Sequence, residues 1–250
     1  MADEKITQLS ALTTPVVSDV LAIVDDPGGT PETKKITIEN LLKLFISNVT
    51  VQIFTSGSGT YTPTTGMRKC LAIVVGSGGA GGDITAADEA SGGGGGGGAA
   101  IRLFTAAEIM GHDGYAVGAA ATGVGNNSTF SSSPTLLTGG GGGVGGVSGL
   151  TTTLGASGAG GTGGTATGGD INVPGQPGER GLIFDTTNGY GGAGGRSFLG
   201  MGGARSASQA AGNIGTGYGG GGGGAHTHDD TNRNGGDGAA GVIYVLEFIG

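Results

Sequence analysis

The sequence predicts a mainly β protein, in which an antiparallel β-sandwich-like body carries packed, glycine-rich loops of the polyglycine II type. A small module of one β-hairpin and one helix precedes this body. Three observations predict this fold. Glycine makes up 63 of 250 residues, against an average usage of about 7%. Short strand-like runs alternate with the glycine tracts, and strands without intervening helices favour an antiparallel sandwich.

A sharp change in glycine content divides the chain into residues 1–50 and residues 51–250. The first region holds only Gly28 and Gly29. Its predicted elements are a strand at 19–25, a turn at 26–31, a half-buried strand at 33–38 and a short helix at 41–46. A hairpin and a helix of this size bury little core on their own. We therefore predict an attachment module that is stabilised by docking onto copies of itself or onto another protein.

The second region contains the strands of the predicted sandwich. The candidates lie at residues 51–55, 59–63, 71–75, 99–104, 115–117, 128–131, 135–137 and 241–249. The last of these is the strongest, because it is an almost continuous apolar run. Thr105 is expected to cap a single helical turn that runs to Ile109, since a threonine hydroxyl at that position accepts a backbone hydrogen bond.

Long glycine tracts fill the spaces between these strands, at residues 92–98, 139–143 and 219–224. Turns need only one or two glycines, and collagen needs a strict Gly-X-Y repeat with abundant proline, whereas this chain has seven prolines. The remaining ordered form is an extended helix with three residues per turn. Such helices can bond side by side through their backbone groups, because glycine permits the close approach. Flexible linker loops are the alternative interpretation.

Composition and charge exclude several classes of function. The formal net charge is −8, and the few Lys and Arg residues of the second region are scattered, so nucleic-acid binding is not expected. No run of 18 apolar residues is present, and the polar start does not resemble a signal peptide. We therefore expect no membrane insertion and a soluble protein made in the cytoplasm. The single Cys70 excludes an internal disulfide and is interpreted as a small buried hydrophobe.

Three polar segments are candidate binding loops, because loops on a stiff scaffold commonly carry recognition side chains. They are residues 83–89, 184–190 and 226–234. The predicted receptor-binding residues within them are Asp83, Thr85, Asp88, Phe184, Asn188, Tyr190, His226, His228, Asn232 and Arg233. The sequence leaves open which of the three segments share a face.

His226 and His228 are the one pair with ligand-like spacing, since residues i and i+2 of a strand face the same side. Two imidazoles are fewer than the three or four protein ligands of a usual zinc site. The pair is therefore a weak metal candidate, and the alternative interpretation is a solvated polar loop. No metal and no cofactor are predicted.

Patterns of catalytic residues are weak in this sequence. Residues 76–81 follow a strand and look like a dinucleotide fingerprint, but no amphipathic helix follows them, and chance matches are expected among so many glycines. The adjacent carboxylates Asp229 and Asp230 are typical of a solvated loop. No catalytic residue is predicted, and the protein is not expected to be an enzyme.

Several segments of the body resemble a known family. These segments are residues 54–63, 66–76, 168–178 and 241–248. They resemble the glycine-rich domain of phage tail and tail-fibre proteins, over roughly residues 51–250. The resemblance implies a trimeric virion component that exposes its glycine-rich end. In fibre-tip adhesins of this general kind, packed polyglycine helices present receptor-binding loops.

The N-terminal region carries a second resemblance. Residues 19–31 and 34–42 are similar to the leading segment of many phage virion and fibre proteins. This similarity implies that the chain is anchored to the particle by its N-terminus. The expected location is the virion, which is assembled in the host cytoplasm.

These observations predict a bacteriophage virion protein, namely a trimeric fibre or tip that takes part in binding a host receptor. The trimer is also expected because strand edges and glycine tracts leave backbone groups to be paired, which a closed symmetric assembly does. The predicted partners are two further copies of the chain, other virion proteins through residues 1–50, and a host cell-surface glycan or outer-membrane protein.

Two other functions are considered. One is a structural head fibre, capsid decoration, or neck or tail adaptor without a host-binding role. The other is an enzyme that degrades surface polysaccharide. The enzyme is disfavoured, because such depolymerases usually need long solenoid bodies and clustered carboxylates.

Overall fold

The computed structural model describes residue 14 and residues 16–25, 29–30, 32–43, 48–109, 114–130, 137–149, 156–207 and 209–250. Within these ranges the chain forms twenty strands and two short helices, which confirms the predicted mainly β class. In chain order they are β1 (Val20–Asp25), β2 (Glu32–Thr37), α1 (Ile38–Lys43), β3 (Asn48–Phe54), β4 (Ser58–Thr60), β5 (Met67–Val75), β6 (Glu89–Ser91), β7 (Ala99–Thr105), α2 (Ala106–Ile109), β8 (Gly114–Ala116), β9 (Ser128–Phe130), β10 (Leu137–Gly139), β11 (Val147–Gly149), β12 (Ala156–Gly158), β13 (Ala166–Thr167), β14 (Ile171–Val173), β15 (Gly181–Ile183), β16 (Gly189–Tyr190), β17 (Leu199–Met201), β18 (Thr216–Tyr218), β19 (His226–Thr227) and β20 (Val242–Ile249).

The N-terminal region forms the predicted hairpin and helix. β1 pairs antiparallel with β2 along its whole length. The helix α1 begins at Ile38, three residues before the predicted start. The reason is that the Thr37 hydroxyl accepts a hydrogen bond from the Asn40 N–H at 3.1 Å and caps the first turn. Of the predicted turn, residues 26–28 and 31 lie outside the described residues, as does the predicted helix end at 44–46.

One layer of the body is a five-stranded antiparallel sheet in the order β14-β7-β5-β20-β3. The predicted strands at 71–75, 99–104 and 241–249 lie in this sheet, and the one at 51–55 lies in β3, which ends at Phe54. β20 pairs along its length with both β5 and β3. Its almost continuous apolar sequence is typical of a strand that is covered on both faces.

The other layer is a second five-stranded antiparallel sheet in the order β13-β10-β9-β8-β4. The predicted strand at 115–117 corresponds to β8, shifted by one residue, and β9 covers 128–130 of the predicted 128–131. Of the candidate at 135–137, only residue 137 is described, and it is the first residue of β10, which continues to Gly139. The two layers form the predicted sandwich-like body.

The predicted strand at 59–63 is wrong beyond Thr60, because Tyr61 leaves the sheet edge and enters the hydrophobic core between the two layers. The Tyr61 and Phe130 rings pack edge to face with centroids 5.2 Å apart, and Phe104 lies 6.2 Å from Phe130. The other buried members of the core are Met67, Cys70, Ala72, Val74, Ala100, Ile109, Val117, Leu137, Ile243 and Val245.

The predicted helical turn is α2, and Thr105 caps it as expected. The Thr105 hydroxyl accepts a hydrogen bond from the Glu108 N–H at 3.4 Å, and the Glu108 carboxylate accepts one from the Thr105 N–H at 2.8 Å. This reciprocal arrangement is a capping box. The turn places Ile109 in the sandwich core.

The strands of the sandwich continue into extended glycine-rich segments that lie side by side and form a lattice. Residues 92–98 are buried at its centre. Their N–H groups point in turn to three neighbouring segments, so every third residue bonds to the same neighbour. These bonds, all 2.8–2.9 Å long, run from Gly92, Gly95 and Gly98 to Gly146, Gly143 and Gly140, from Gly93 and Gly96 to Glu179 and Gln176, and from Gly94 and Gly97 to Gly222 and Gly219.

The carbonyl groups of the same tract bond to three further segments. The N–H donors to them are Gly76, Gly79 and Gly82, then Gly161 and Gly164, and finally Gly195. Six segments therefore surround residues 92–98, and the repeat of three residues is that of a polyglycine II-type helix. The predicted ordered packing is confirmed for this tract, and the flexible-linker alternative is wrong for it.

All of these bonds join parts of a single chain. The central glycine tract therefore bonds all seven of its N–H groups and six of its seven carbonyl groups without any other copy of the protein. This removes one of the two physical reasons for expecting a trimer, and the strand edges of the sandwich are the other. Trimerisation itself stays a prediction.

Candidate functional site

The chain crosses the lattice many times, so its connections collect at two opposite ends. We call the end that carries the sandwich the base and the opposite end the distal end. β5 leads from the base into residues 76–82, and residues 92–98 lead back into β7 at the base. The connection between these two tracts, which contains the predicted loop 83–89, therefore lies at the distal end.

Short strands close the distal end and form a structure that we call the distal cap. β6 pairs with β11 and with β19 in one sheet, and β15 pairs with β12 and β16 in another. The predicted loop 184–190 spans the connection from β15 to β16. The predicted loop 226–234 begins with β19 and leads into the last lattice segment.

The three predicted loops meet in this cap. Ile84 of the first loop forms an isolated β-bridge with Arg233 of the third. The Asp83 carboxylate accepts a hydrogen bond at 2.8 Å from a backbone N–H just beyond the third loop. Gly189 of the second loop lies against the His226 imidazole. Segments that are far apart in the sequence thus share one end of the molecule.

The ten predicted receptor-binding residues differ in exposure. Asp83, Thr85, Phe184, Asn188 and Asn232 are exposed, Asp88, Tyr190, His228 and Arg233 are partly buried, and His226 is fully buried. The residues of the first two groups are accessible to a ligand except His228, whose side chain is only 7% exposed. The alternative of a solvated loop is wrong for His226 and for Thr227, which is also buried.

The two histidines pack edge to face, with ring centroids 4.4 Å apart. Nδ1 of His226 accepts a hydrogen bond from the Gln209 N–H at 3.2 Å, so the neutral ring carries its proton on Nε2. Nδ1 of His228 lies 3.2 Å from a carboxylate oxygen of Asp88 and donates its proton to it. The predicted loop residues Asp88 and His228 thus hold the first and third loops together.

This geometry does not support the weak metal candidate. A His226 ring protonated on Nε2 has no free lone pair for a cation, because its Nδ1 already accepts the Gln209 N–H. Within the part of the chain that the structure describes, no three His, Cys, Asp or Glu side chains are grouped to hold a metal ion. The pair instead joins β19 to the neighbouring loops.

Burial is the main cause that lowers the pKa of His226 to about 4, and the nearby His228 and Arg233 lower it further. An unfolded histidine has a pKa of about 6.5. Because the folded pKa is the lower one, protonation favours the unfolded state. The stability that neutral His226 contributes is present above pH 6.5 and is lost as the pH falls towards 4.

We expect His226→Asn to remove most of the stability change between pH 7 and pH 4. Asparagine can accept the Gln209 N–H bond through its side-chain oxygen, but it does not titrate. In the wild type, the pKa difference corresponds to a loss of about 3 kcal/mol in the free energy of unfolding as the pH falls. Urea unfolding at a series of pH values measures this loss in both proteins. An unchanged pH dependence in the variant would contradict the assignment to His226.

An aromatic and charged patch lies next to the histidines in the distal cap. The Phe184 and Tyr190 rings pack edge to face with centroids 5.9 Å apart. The Arg205 guanidinium lies 4.7 Å from the centre of the Tyr190 ring, and its Nε donates to Glu179 at 2.7 Å. Arg205 and Glu179 were not among the residues predicted from the sequence. Their signal was a charged side chain placed among glycine-rich repeats, where most positions are small.

Hydrogen bonds within the second loop hold it in a defined shape. The Asp185 carboxylate accepts hydrogen bonds from the Thr187 and Asn188 N–H groups, both at 2.7 Å. Bonds from the side chains of Asn188 and Thr187 are the largest causes that hold the pKa of the Asp185 carboxyl far below its usual range. The predicted contact residue Asn188 therefore also fixes the turn that presents Phe184.

Two other sequence features have structural roles. Residues 76–82, which include the dinucleotide-like pattern, form a buried lattice segment whose N–H groups all donate to carbonyl groups of neighbouring segments. They are therefore not available to a phosphate. Cys70 is buried in the sandwich core as predicted, and burial raises the pKa of its thiol to about 11. A thiol in that environment is inert at neutral pH.

Among the described residues, no helix has the length and apolar character needed to cross a bilayer. Comparison with protein-family models and with curated proteins finds no match for this sequence. The geometry of the distal cap is therefore the starting point for a function.

Proposed function

We propose that this protein is a structural component of a bacteriophage particle, a trimeric fibre or tip whose distal cap binds a receptor on the host surface. One observation carries the proposal. The chain enters the body at the base and presents its polar loops at the opposite end. Asn48, at the start of β3, pairs with Ile249, whereas Val242 at the other end of β20 pairs with Val75, next to the lattice.

The N-terminal module supports an anchoring role at the base. Its hairpin leaves Val20, Leu21 and Ile23 exposed. A two-stranded hairpin with one short helix is marginal by itself, because it cannot enclose a core. Docking of residues 1–50 onto other virion proteins would cover these side chains and would point the distal cap away from the particle.

The lattice supports a binding role for the cap. Dense backbone hydrogen bonding keeps the cap loops in place before a ligand arrives, which reduces the entropy cost of binding. Phe184 is half exposed and packs on Tyr190, and exposed aromatic side chains on rigid supports commonly dominate binding energy. The ligand class is a cell-surface glycan or an outer-membrane protein.

We expect Phe184→Ala to weaken binding of the labelled full-length protein to host cells by about tenfold, which is the effect of losing one aromatic anchor. Phe198→Ala is the matched control, because Phe198 is similarly exposed, 47% against 50%, but lies at the base beside β17. Binding isotherms on intact cells measure both variants. The control should bind like the wild type.

Two results would contradict host binding through the cap. One is equal binding by the Phe184→Ala variant and the wild type. The other is no specific binding by any of the three proteins, which would favour a head fibre, capsid decoration, or neck or tail adaptor. Labelling of particles with an antibody against an epitope in the distal cap shows whether the protein lies on the head, the neck or the tail.

A further inference from the structure

The five-stranded sheet that contains β20 has a second face, which points away from the sandwich core. Directly opposed residues of antiparallel strands share a face, and the registers of this sheet align them in rows. One row consists of Val51, Leu246, Leu71 and Leu103. The next consists of Ile53, Tyr244, Ile73, Ile101 and Ile171. We call the surface formed by these two rows the outer face.

The outer face is apolar and is open along its edge strands. At the end nearest the lattice it is covered, because Tyr218 packs edge to face on Tyr244 with ring centroids 6.3 Å apart. Val51, Ile53 and Ile171 each expose more than half of their surface, at 53%, 51% and 58%. An antiparallel sheet with one solvated face normally places polar residues on that face. Here both rows lack a charged side chain. Isolated exposed apolar residues are ordinary, but a continuous patch of this kind marks an interaction site.

The one charged residue of β20 also lies on the face opposite to the one expected for a sheet with one solvated side. Glu247 points into the core and is fully buried, while its neighbours Leu246 and Phe248 point outward. A strand with one polar side would place the carboxylate in water. The arrangement fits a sheet that is covered on both faces.

We propose that the outer face is an interface between copies of this chain in a closed oligomer. Five strands about 4.8 Å apart and about seven residues long give a face of about 500 Å². In the proposed trimer three such faces meet around the threefold axis and bury about 1,500 Å² in total, which lies within the size range of specific interfaces. This inference rests on the trimeric part of the proposed function, but not on host binding by the distal cap.

Two further observations favour a second copy over other occupants. The hairpin β1–β2 has only two strands, about 10 Å wide, so it is too narrow for a face of five strands, whereas a second copy offers a face of equal width. Each chain also carries a net charge of −8. Two copies therefore approach with the least repulsion through a surface whose rows are uncharged.

The test is the oligomeric state of the full-length protein, measured by native mass spectrometry and sedimentation velocity. We expect the wild type to be oligomeric at micromolar concentration. Val51→Lys combined with Leu103→Lys places buried, unpaired charges in the interface, and should raise the dissociation constant at least about 100-fold. Val124→Lys is the matched control, because Val124 is 66% exposed and belongs to none of the strands of this sheet.

A monomeric wild type would overturn the proposal, whether the outer face were then open or covered by the N-terminal module. An oligomer that persists in the double variant would also overturn it, because the interface would lie elsewhere. Thermal unfolding shows whether the double variant is folded. If it is not, Ile171→Lys on the short edge strand β14 is the second variant, and the same loss of assembly is expected from it.

Discussion

We expect Gly95→Ala to lower the free energy of unfolding by at least about 4 kcal/mol, a loss found only for severe steric conflicts and similar defects. A Cβ atom built on Gly95 would overlap the carbonyl group of Thr162 in the neighbouring segment. Backbone atoms cannot rotate away as a flexible side chain can. The segments must therefore separate, which breaks hydrogen bonds on several sides of the central tract.

Gly123→Ala is the matched control for this substitution. Gly123 also belongs to the lattice, since its carbonyl group accepts the Ala80 N–H at 2.8 Å, but a Cβ atom there meets no atom within 4 Å. Alanine restricts the unfolded chain, so this variant should match the wild type or gain up to about 1 kcal/mol. Chemical denaturation compares the two variants. Similar losses in both would show that glycine is needed for flexibility and not for close packing.

The second large effect is expected from Glu247→Leu, which should cost about 4 kcal/mol. The buried Glu247 carboxylate accepts hydrogen bonds from Tyr61 Oη at 2.5 Å, Thr50 Oγ1 at 2.7 Å and Thr64 Oγ1 at 2.5 Å. It also accepts a bond from the Gln52 side chain at 3.1 Å. Leucine fills the space but cannot accept a hydrogen bond. The fully buried Tyr61 hydroxyl then loses its carboxylate partner, and the Thr50 and Thr64 hydroxyls lose theirs at the edge of the core.

The Glu247 carboxylate also makes the stability of the folded protein depend on pH. Burial raises the pKa of Glu247, but the hydrogen bonds from Thr64, Tyr61 and Thr50 outweigh it and hold the pKa below its usual value of 4.5. Since the folded pKa is lowered, the stabilisation is present above pH 4.5 and is lost as the pH falls below it. The Glu247→Leu variant should lack this acid-induced loss.

Glu179→Gln is the control for removal of a carboxylate. Glu179 pairs with Arg205 at the surface, where both side chains are about half exposed, so its loss should cost less than about 1 kcal/mol. Unfolding in urea between pH 3 and pH 7 measures both variants. A Glu247→Leu protein as stable as the control would refute the view that this buried network holds residues 50–64 against β20.

Much of the sandwich was predictable, because strand formation follows local apolar patterns. β20 is a long run of β-branched and aromatic residues, and Thr105 and Glu108 have the spacing of a capping box. The prediction failed where long-range partners decided the local structure. Tyr61 has strand-like neighbours, but the buried carboxylate of Glu247 draws its hydroxyl into the core.

The polar segments of the candidate site were predicted from the sequence, but their grouping into a single site was not. Residues 83–89, 184–190 and 226–234 contain no pattern that pairs them. Their meeting follows from the way the chain crosses the lattice. The burial of His226 and the contact of Arg205 with Tyr190 depend on that same path. Side-chain chemistry is visible in a sequence, whereas proximity between distant segments is not.

Glycine content by itself indicated that backbone packs on backbone, with flexible linker loops as the alternative, and the position of the glycine along the chain indicated where the scaffold begins. The tertiary structure decided how many neighbours each segment has. Residues 92–98 have six neighbours and are all glycine, whereas residues 159–165 read Ala-Gly-Gly-Thr-Gly-Gly-Thr and keep Thr162 and Thr165 exposed. In a helix with three residues per turn, successive side chains point toward different neighbouring segments. A position in this lattice therefore has room for a side chain only where no segment packs in that direction.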